Sequence, residues 1–429
     1  MDSYRIEPSK LHGHLIVPPS KSHTLRAIYF AALAKGSSRI HEFLLSPDAS
    51  AMIKAVQLLG AEVEVVENGL NIVGFGGKPQ VADDVIKCGN SGIVLRFVGA
   101  LAGLIPQYTV LTGDASIRHS RPVKPLLDAL HQLGAFATSS RGDGMAPIIV
   151  KGPLTKHSAT LEGLDSQPVS GLLIAGAFAP HPIEVHVKNP GEKPWIEVTL
   201  HWFDRLGIKY ERQGYSYYRM KGNTELEGFK YTVPGDFSTA AFPIAAALMT
   251  DSELTLHNVD MDDIQGDKAI IPVLQEMGAR FAFDKRTLTV KKGSKLKGMR
   301  IDVNDFIDAV PILAVIGCFA EGKTEIVNAS IARRKESDRI TAMATELKKM
   351  GAKIEEKPDG LVVHRSALHG AELETYHDHR LVLSLSVAAL AASTPSVVKG
   401  VECAAKTYPS FFEDFTAIGA RLERHLVRL

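Results

Sequence analysis

The sequence has little cysteine and almost no net charge. Its 429 residues include three cysteines, Cys88, Cys318 and Cys403, and carry a formal net charge of +1 at pH 7. Three widely spaced cysteines form neither a disulfide framework nor a metal-binding pattern, so a reducing cytoplasm is the expected location. A balanced charge argues against general nucleic-acid or acidic-surface binding, which usually requires a strongly basic chain. Any anion site must therefore be a local concentration of cations.

Long apolar runs and targeting signals are also lacking. No uninterrupted apolar stretch reaches the roughly 20 residues that a membrane-spanning helix needs. Residues 1–10 are polar and do not resemble a signal peptide. A hydrophobic content of 45% and a charged content of 23% are globular values, and the length predicts two or more domains.

One unit repeats along the chain. Each copy has an apolar helical segment that ends in glycine, and a β-rich run usually follows. These glycines are spaced by 74, 73, 71, 73 and 68 residues: Gly60, Gly134, Gly207, Gly278, Gly351 and Gly419. Glycine at a helix end is typical of a left-handed C-cap, so six helices are predicted to end at these positions.

A second helical element, rich in alanine and apolar nearly all round, interleaves with the first. Such helices are buried ones. The six segments are residues 26–35, 94–102, 171–179, 239–249, 309–320 and 381–392. The simplest arrangement is two domains of three units each, with residues 19–233 as the first and residues 1–18 plus 234–429 as the second. We expect residues 4–17 to be a strand that the second domain borrows.

Polar and charged side chains mark the starts of these buried helices. The cations in or near them are Lys21, Arg26, Arg96, Arg121 and Arg380. Lys and Arg are rarely buried without a partner, and few carboxylates stand at matching positions, so anionic ligands are expected. For Ser166 and Ser238 taken alone, ordinary N-capping is the better interpretation.

The most highly charged stretch is residues 333–339, which contain four cations, two carboxylates and one hydroxyl. The apolar positions of residues 340–347 predict an amphipathic helix directly after it. On a helix, Lys335 and Arg339 would share a face, and cations at a helix start would repel one another until an anion bound. A solvated charge run is the alternative interpretation.

Two local motifs suggest other chemistry. Residues 317–324 match the phosphate-loop pattern G-x-x-x-x-G-K-T, but a buried helix is predicted before them and a strand after them, the reverse of the required order. His377 and His379 resemble a metal-binding pair, but no further Cys or His accompanies them and Arg380 adjoins them. Neither a nucleotide, a metal nor another cofactor is expected.

Six ordered motifs resemble those of the enolpyruvyl transferases. They cover essentially the whole chain and lie at residues 20–26, 89–96, 121–122, 333–339, 378–380 and 406–409. The resemblance implies an α/β fold: a two-domain inside-out α/β barrel, each domain made of three βαβαββ repeats around buried parallel helices. It also implies an active site in the cleft between the domains.

The resemblance is strongest to the branch that transfers the enolpyruvyl group of phosphoenolpyruvate to the 5-hydroxyl of shikimate 3-phosphate and releases phosphate. That reaction belongs to the shikimate pathway of aromatic amino acid biosynthesis. The resemblance implies a monomer that acts on these two small molecules, without nucleic-acid or membrane partners. The glycine at position 92 also resembles the form that is sensitive to glyphosate.

The resemblance also implies a role for each residue that occupies a functional position of a family motif. Asp308 would be the base at the 5-hydroxyl, Glu336 would handle the proton at the enol methylene, and Lys21 would complete the catalytic set. The residues implied for shikimate 3-phosphate are Lys21, Ser22, Arg26, Ser166, Gln167, Asp308 and Lys335. Those implied for phosphoenolpyruvate are Lys21, Asn90, Gly92, Arg121, Gln167, Arg339, Arg380 and Lys406.

The chemistry needs this kind of residue set. Two multiply anionic substrates require several cations, and arginine suits carboxylate and phosphate because it binds them with two parallel hydrogen bonds. One carboxylate must start ionised and another acid protonated, because the alcohol loses a proton while the enol carbon gains one. Lysine and arginine can neutralise the leaving phosphate, so the reaction requires no metal.

Several positions depart from the family pattern. Asp165 stands where a serine is common, Glu192 and Trp195 occupy a place where Ser and Tyr or Arg commonly meet the sugar phosphate, and Ile331 replaces a frequent Asn. Ile93 follows Gly92 where Thr is frequent. These changes concern the acceptor contacts and leave the cationic set intact.

Two alternatives belong to different classes. The sister enzyme that acts on UDP-N-acetylglucosamine carries a reactive cysteine near an Ala-Arg-Pro turn, whereas residues 113–122 of this chain contain none. A non-catalytic anion-binding protein on the same scaffold would gain nothing from carboxylates such as Asp308 and Glu336 beside its ligand.

Overall fold

The structure is a computed structural model that describes residues 2–426, and this part of the chain contains 24 strands and 13 α-helices. The strands are β1 (Ser3–Glu7), β2 (His14–Ile16), β3 (Lys35–His41), β4 (Glu62–Val66), β5 (Gly69–Phe75), β6 (Ile86–Lys87), β7 (Thr109–Thr112), β8 (Phe136–Ser139), β9 (Ile148–Lys151), β10 (Ser158–Glu162), β11 (Ile183–Lys188), β12 (Tyr210–Gln213), β13 (Tyr217–Met220), β14 (Lys230–Thr232), β15 (Leu254–His257), β16 (Phe281–Asp284), β17 (Thr287–Val290), β18 (Arg300–Asp302), β19 (Lys323–Val327), β20 (Lys353–Lys357), β21 (Gly360–His364), β22 (Glu372–Glu374), β23 (Ser396–Lys399) and β24 (Arg421–His425).

The helices are α1 (Lys21–Leu33), α2 (Pro47–Leu58), α3 (Gly92–Leu101), α4 (Ala115–His119), α5 (Lys124–Gln132), α6 (Ser166–Phe178), α7 (Lys193–Leu206), α8 (Phe237–Met249), α9 (Ile270–Met277), α10 (Val310–Phe319), α11 (Arg339–Lys349), α12 (His379–Leu390) and α13 (Phe411–Ala417).

Six four-stranded sheets follow one pattern. In each sheet two strands at one edge lie parallel, and the other two strands pair antiparallel, as in the order β10-β11-β13-β12. In four sheets one buried helix joins the two parallel strands, which is the usual connection between them. Each repeat is therefore a βαβαββ unit, and the mixed α/β class predicted from the sequence is confirmed.

The buried helices lie where the apolar segments predict them, but several begin earlier. They are α1, α3, α6, α8, α10 and α12, and nearly all of their side chains are buried. Helix α6, for example, begins at Ser166, five residues before its apolar segment and within the polar stretch expected at its start, because Asp165 caps the first turn and accepts a hydrogen bond from the Gln167 N–H. The sequence pattern marks the apolar body of a helix better than its polar first turn.

All six predicted helix-end glycines have positive φ. The values run from +70° at Gly207 to +110° at Gly278. At Gly278 the backbone N–H returns to carbonyls of the last helical turn, as expected for a left-handed cap. Glycine is favoured there because other residues pay a steric penalty at such φ values.

The chain divides into two compact units, which are described separately here. One unit comprises Met1–Ser20 with Pro234–Leu429, and the other comprises Lys21–Val233. We call the first the terminal unit and the second the central unit. Each contains three of the six sheets, because β1, β2 and β15–β24 belong to the terminal unit and β3–β14 to the central unit.

The first residues of the chain form two strands, whereas one was expected from residues 4–17. Strand β1 lies between β23 and β24, and its pairing brings Ser3 opposite His425. Strand β2 lies parallel to β15 in a different sheet of the same unit. Strand β14 similarly completes a sheet of the central unit, where it lies parallel to β3. In each unit one sheet therefore combines strands from the beginning and from the end of the unit's sequence.

The charged stretch at residues 333–339 is not helical as a whole. A short 3-10 segment covers Ser330–Arg334, Lys335 lies in a bend with a non-helical backbone, and α11 begins only at Arg339. The Asp338 carboxylate accepts from the N–H groups of Ile340 and Thr341 and so fixes that start. The prediction that Lys335 and Arg339 share one helix face is therefore wrong.

The phosphate-loop match at residues 317–324 lies between α10 and β19. The helix precedes the strand, as predicted, so the required order is reversed. Lys323 pairs with Glu325 on the strand itself. Among residues 2–426, no helix is both long and apolar enough to cross a membrane.

Candidate active site

Arg339 is the centre of a buried cluster in the terminal unit. Its side chain is 1% exposed and contacts three carboxylates: Nε lies 2.8 Å from Asp378 Oδ2, Nη1 lies 2.7 Å from Asp308 Oδ1, and Nη2 lies 2.8 Å from Glu336 Oε2. The three elements that converge are the segment before α10, the start of α11 and the start of α12. We call these residues, with Arg380 and Lys406, the carboxylate–cation cluster.

The pKa of Arg339 reflects two opposing effects. Burial lowers it, but the charges of Asp378, Glu336 and Asp308 together outweigh burial and raise the pKa above its ordinary value. Arg339 is therefore charged at every pH at which the protein functions.

Arg380 and Lys406 bind the same carboxylates from other sides. Arg380 Nη2 lies 2.8 Å from Asp308 Oδ2 and donates to Ser238 Oγ at 3.0 Å, while Lys406 Nζ lies 2.8 Å from Glu336 Oε1. The expectation of too few matching carboxylates is wrong for Arg380, because Asp308 pairs with it. Arg380 nevertheless keeps Nε and Nη1 buried without a hydrogen-bond partner among the described residues. Those donors suit an anionic ligand.

The capping expectation for Ser238 is also wrong. Asp236 caps α8, accepting from the Thr239 N–H at 2.9 Å. The Ser238 hydroxyl instead donates to Asp236 and accepts from Arg380. Ser238 therefore helps to orient Arg380 within the carboxylate–cation cluster.

Three residues of this cluster could in principle hold a metal ion. Ligand atoms of Glu336, Asp378 and His379 lie within 4.8 Å of one another. The carboxylate oxygens, however, accept hydrogen bonds from Arg339 and Lys406, and these two fixed cations would repel a metal cation. The donor set fits protein cations better than a metal.

A second cluster lies at helix starts of the central unit and surrounds Gly92, the first residue of α3. Arg96 Nη1 donates to Gln167 Oε1 at 3.1 Å, and Arg96 Nη2 lies 3.1 Å from Asp165 Oδ2. A Cβ at Gly92 would stand 2.6 Å from Arg96 Nη1, 2.8 Å from Arg121 Nη1 and 3.0 Å from Gln167 Oε1. Only glycine allows the two guanidinium groups and the amide to come this close to the backbone. We call these residues the guanidinium cluster.

Arg26 is buried among neutral partners. Nε and Nη2 donate to Thr199 Oγ1 at 3.1 and 2.9 Å, and the other hydrogen bonds go to the carbonyls of Ser22 and Trp195. None of its partners in residues 2–426 is a carboxylate, and burial lowers the pKa of Arg26 to about 9. A cation buried in this way is stabilised when an anionic ligand binds nearby.

Ser166 does not cap α6, contrary to expectation, because the residue before it does. Its N–H and its hydroxyl both donate to Glu192 Oε2, each at 3.1 Å. Glu192 is 2% exposed and immediately precedes α7 with a left-handed φ of 45°. Asp165 and Glu192, the two acidic departures from the family pattern, therefore both bind the first turn of α6.

The remaining predicted residues lie in the first turn of a helix or in the segment before one. Lys21 is the first residue of α1 and is half-buried, Ser22 is buried beside it, and Asn90 lies in the turn that precedes α3. Lys335 is half-buried, four residues before the Arg339 centre. The structure thus groups Gly92, Arg121 and Gln167 closely, and places Asp308, Glu336, Arg339, Arg380 and Lys406 in one network.

Sequence reasoning missed three partners of the predicted residues. Asp378 lay inside a recognised motif but was given no role, although its position before a buried helix with Arg380 is a local signal. Thr199 binds Arg26 across 173 residues and Ser238 binds Arg380 across 142. No local pattern could have found the last two.

The fold and the clusters define a class: an α/β protein of six βαβαββ repeats in two units, with arginines and carboxylates gathered at the starts of buried helices. Such clusters suit small, multiply anionic ligands.

Comparison with known proteins narrows this class. The family model described as EPSP synthase (3-phosphoshikimate 1-carboxyvinyltransferase) matches residues 6–415. The 3-phosphoshikimate 1-carboxyvinyltransferase of Acetivibrio thermocellus is 42% identical over 416 residues, which are 97% of this chain and 98% of that protein. The protein of the same name from Methanocaldococcus jannaschii is 42% identical over 96% of this chain and 97% of its own length.

Solved structures agree with the sequence relatives. An EPSP synthase structure from Acinetobacter baumannii matches with a TM-score of 0.84 and 27% identity, and the match covers 99% of this chain and 100% of that one. The chain therefore belongs to the EPSP synthase family, and the resemblance to the enolpyruvyl transferases is confirmed.

Proposed function

We propose that this protein transfers the enolpyruvyl group of phosphoenolpyruvate to the 5-hydroxyl of shikimate 3-phosphate and releases inorganic phosphate. Family membership supports this reaction. The observation that carries it is the carboxylate–cation cluster, in which Arg339 joins Asp308, Glu336 and Asp378. A site built only to hold anions has no use for Asp308 and Glu336 beside its ligand, whereas proton transfer at two substrate atoms needs two such groups.

The cations hold phosphoenolpyruvate in this proposal. Arg339, Arg380 and Lys406 are assigned to this substrate, as are Arg121 and the Gly92 backbone. Arg380 has two buried donors available, and Arg121 stands beside the small backbone of Gly92. Arginine binds carboxylate and phosphate with directed, charge-assisted hydrogen bonds.

Shikimate 3-phosphate would be bound mainly by the central unit. Arg26, Lys21 and Ser22 lie on the first turns of α1, and Gln167 on the first turn of α6. Arg26 supports this role because it is a buried cation whose partners are neutral. Lys335 and Asp308 are also assigned to this substrate.

Proton transfers complete the proposal. Asp308, held ionised by Arg339 and Arg380, takes the proton of the 5-hydroxyl as its oxygen bonds to the enol carbon. Glu336 gives a proton to the methylene carbon and takes one back when phosphate leaves. Glu336 accepts from Arg339 and Lys406 in the structure, and a bound anion that draws these cations away would favour its protonation.

The location, oligomeric state and cofactor requirement of the protein are also part of this proposal. We place the reaction in the cytoplasm and the protein as a monomer, without a metal cofactor. All three cysteines are free, and burial raises the pKa of Cys88, Cys318 and Cys403 to about 12, so none of them supplies a thiolate at neutral pH. Light scattering of the purified protein would measure its oligomeric state.

Phosphate release tests the reaction. The purified protein should release phosphate when phosphoenolpyruvate and shikimate 3-phosphate are both present, and should release almost none with either alone. The product should contain the enolpyruvyl ether, detectable by mass spectrometry. Equal phosphate release from phosphoenolpyruvate alone would show hydrolysis and contradict the proposal.

A further inference from the structure

The start of α6 is bound by the protein's own carboxylates. Glu192 Oε2 receives the backbone N–H and the hydroxyl of Ser166, and Asp165 receives the Gln167 N–H. The first N–H groups of a helix, with their partial positive charge, are where an anion would otherwise bind. In this chain two carboxylates bind those groups.

Glu192 is held in place by the fold. It is 2% exposed, and its φ of 45° is in the left-handed region, which non-glycine residues rarely adopt. Pro194 lies two residues further on, in the first turn of α7, so the backbone on that side is restrained as well. A carboxylate with these constraints is not a solvated surface group that moves aside freely.

This position matters if the proposed function is correct, and the inference rests on that function. Ser166 and Gln167 belong to the residue set proposed for shikimate 3-phosphate. A phosphate at Ser166 would compete with Glu192 for the same two donors. It would also meet the negative charge of Glu192, and like charges repel.

We propose that Glu192 reduces the preference of this site for a phosphorylated acceptor: it weakens the binding of a phosphate at Ser166 and strengthens that of a group that donates a hydrogen bond, such as a hydroxyl or an ammonium. Its carboxylate takes the two donors that a phosphate needs. A hydroxyl in the same place donates to the carboxylate and carries no opposing charge.

Two acceptors test this proposal. Shikimate 3-phosphate carries the phosphate and shikimate carries a hydroxyl in its place, and kcat/KM is measured for both at saturating phosphoenolpyruvate. The ratio of kcat/KM for shikimate 3-phosphate to that for shikimate is compared among the wild type, Glu192→Ser, Glu192→Gln and Glu197→Gln. Glu197 is the matched control, since it lies on the same helix and pairs with Arg212.

We expect Glu192→Ser to raise the ratio at least tenfold, chiefly through a lower KM for shikimate 3-phosphate. Glu192→Gln should raise it less, because a neutral amide oxygen still accepts from Ser166. Glu197→Gln should leave it within twofold of the wild type, and the KM for phosphoenolpyruvate should not change in any variant. An unchanged or lower ratio in both Glu192 variants would overturn the proposal, as would an equal rise in Glu197→Gln.

Binding measured without turnover separates this proposal from the proposed function. Calorimetric titration of each acceptor into the full chain should give the same order of affinities as the kinetics. If the wild type converts neither acceptor, the proposed reaction fails, and the affinities alone then decide the role of Glu192. Thermal unfolding shows whether each variant is folded. If Glu192→Ser does not fold, the ratio of kcat/KM values in the isosteric Glu192→Gln tests the proposal.

Discussion

Asp308 and Arg380 form an ion pair in which the carboxylate Oδ2 lies 2.8 Å from the guanidinium Nη2. The other carboxylate oxygen of Asp308 lies 2.7 Å from Arg339 Nη1. A carboxylate between two arginines stays ionised, and its two oxygens are held in fixed directions. A general base needs both properties, because it must be unprotonated and must point at the proton that it removes.

Replacing Asp308 by Asn should separate catalysis from binding. The amide keeps the size of the side chain but cannot accept a proton, so kcat should fall by about 10²–10⁴-fold or more. Dissociation constants of both substrates should change by less than about tenfold. Steady-state kinetics and calorimetry measure the two quantities.

The control for this change is Asp305→Asn, since Asp305 is exposed on the same short helical segment. It should leave kcat unaltered. A rate near that of the wild type in Asp308→Asn would mean that another group is the base.

Arg121→Ala should weaken the binding of phosphoenolpyruvate much more than the binding of shikimate 3-phosphate. A charge-assisted hydrogen bond contributes roughly 1.5–3 kcal/mol, which corresponds to about 10–100-fold in the KM for phosphoenolpyruvate. Initial rates with one substrate varied at a time give both KM values.

Arg118→Ala is the matched variant, because Arg118 is exposed on the neighbouring helix α4. Its loss should change neither KM. Equal losses of affinity for the two substrates in Arg121→Ala would refute the assignment of Arg121 to phosphoenolpyruvate.

Gly92→Ala should raise the KM for phosphoenolpyruvate because the new methyl group displaces the guanidinium groups beside it. The Cβ would lie 2.6 Å from Arg96 Nη1 and 2.8 Å from Arg121 Nη1. Overpacking of this kind costs roughly 1–3 kcal/mol, so an increase of about 10-fold or more is expected.

Gly99→Ala serves for comparison on the same helix. There the Cβ would meet only the flexible end of Ile148 at 3.2 Å, together with Leu126 at 3.7 Å. Its KM for phosphoenolpyruvate should stay near the wild-type value, and thermal unfolding of both variants checks their packing. An alanine at position 92 without kinetic effect would show that the guanidinium cluster lies away from the substrate.

Asp378→Ala should destabilise the terminal unit. The carboxylate is fully buried, pairs with Arg339, and caps α12 through the Arg380 N–H. Breaking a buried ion pair on one side costs about 3–5 kcal/mol in the free energy of unfolding. Urea unfolding measures the loss.

Asp284→Ala, on an exposed strand position of the same unit, should cost less than about 0.5 kcal/mol. The loss in the free energy of unfolding should be intermediate in Asp378→Asn, because the amide oxygen still caps the helix and only the negative charge is removed. If Asp378→Ala unfolds like the wild type, Arg339 is compensated by Asp308 and Glu336 alone.

The sequence predicts those parts of the structure that depend on local rules. Gly278 ends α9 in a left-handed cap because the residue type and its position after an apolar segment are both local. The repeat then predicts the six α/β units, and the motif order predicts the family. The helix predicted over residues 340–347 begins at Arg339, where Asp338 caps it, so its backward extension to Lys335 was the wrong part of the prediction.

Contacts across long stretches of sequence could not be read in the same way. Glu192 meets Ser166 across 26 residues, and Thr199 meets Arg26 across 173. Which carboxylate neutralises which arginine depends on the packing of the helices, and composition does not fix that packing. The sequence therefore indicated the cations correctly but not their partners.

The pairing of β1 with β24 has a consequence for synthesis on the ribosome. The central unit has all of its strands once residue 232 is made, so it can fold while translation continues. The sheet that contains Ser3 cannot be completed until β24 has been synthesised, more than four hundred residues later. Early ribosome-bound chains should therefore protect the central unit from protease first, and leave the leading strand unpaired until synthesis is nearly finished.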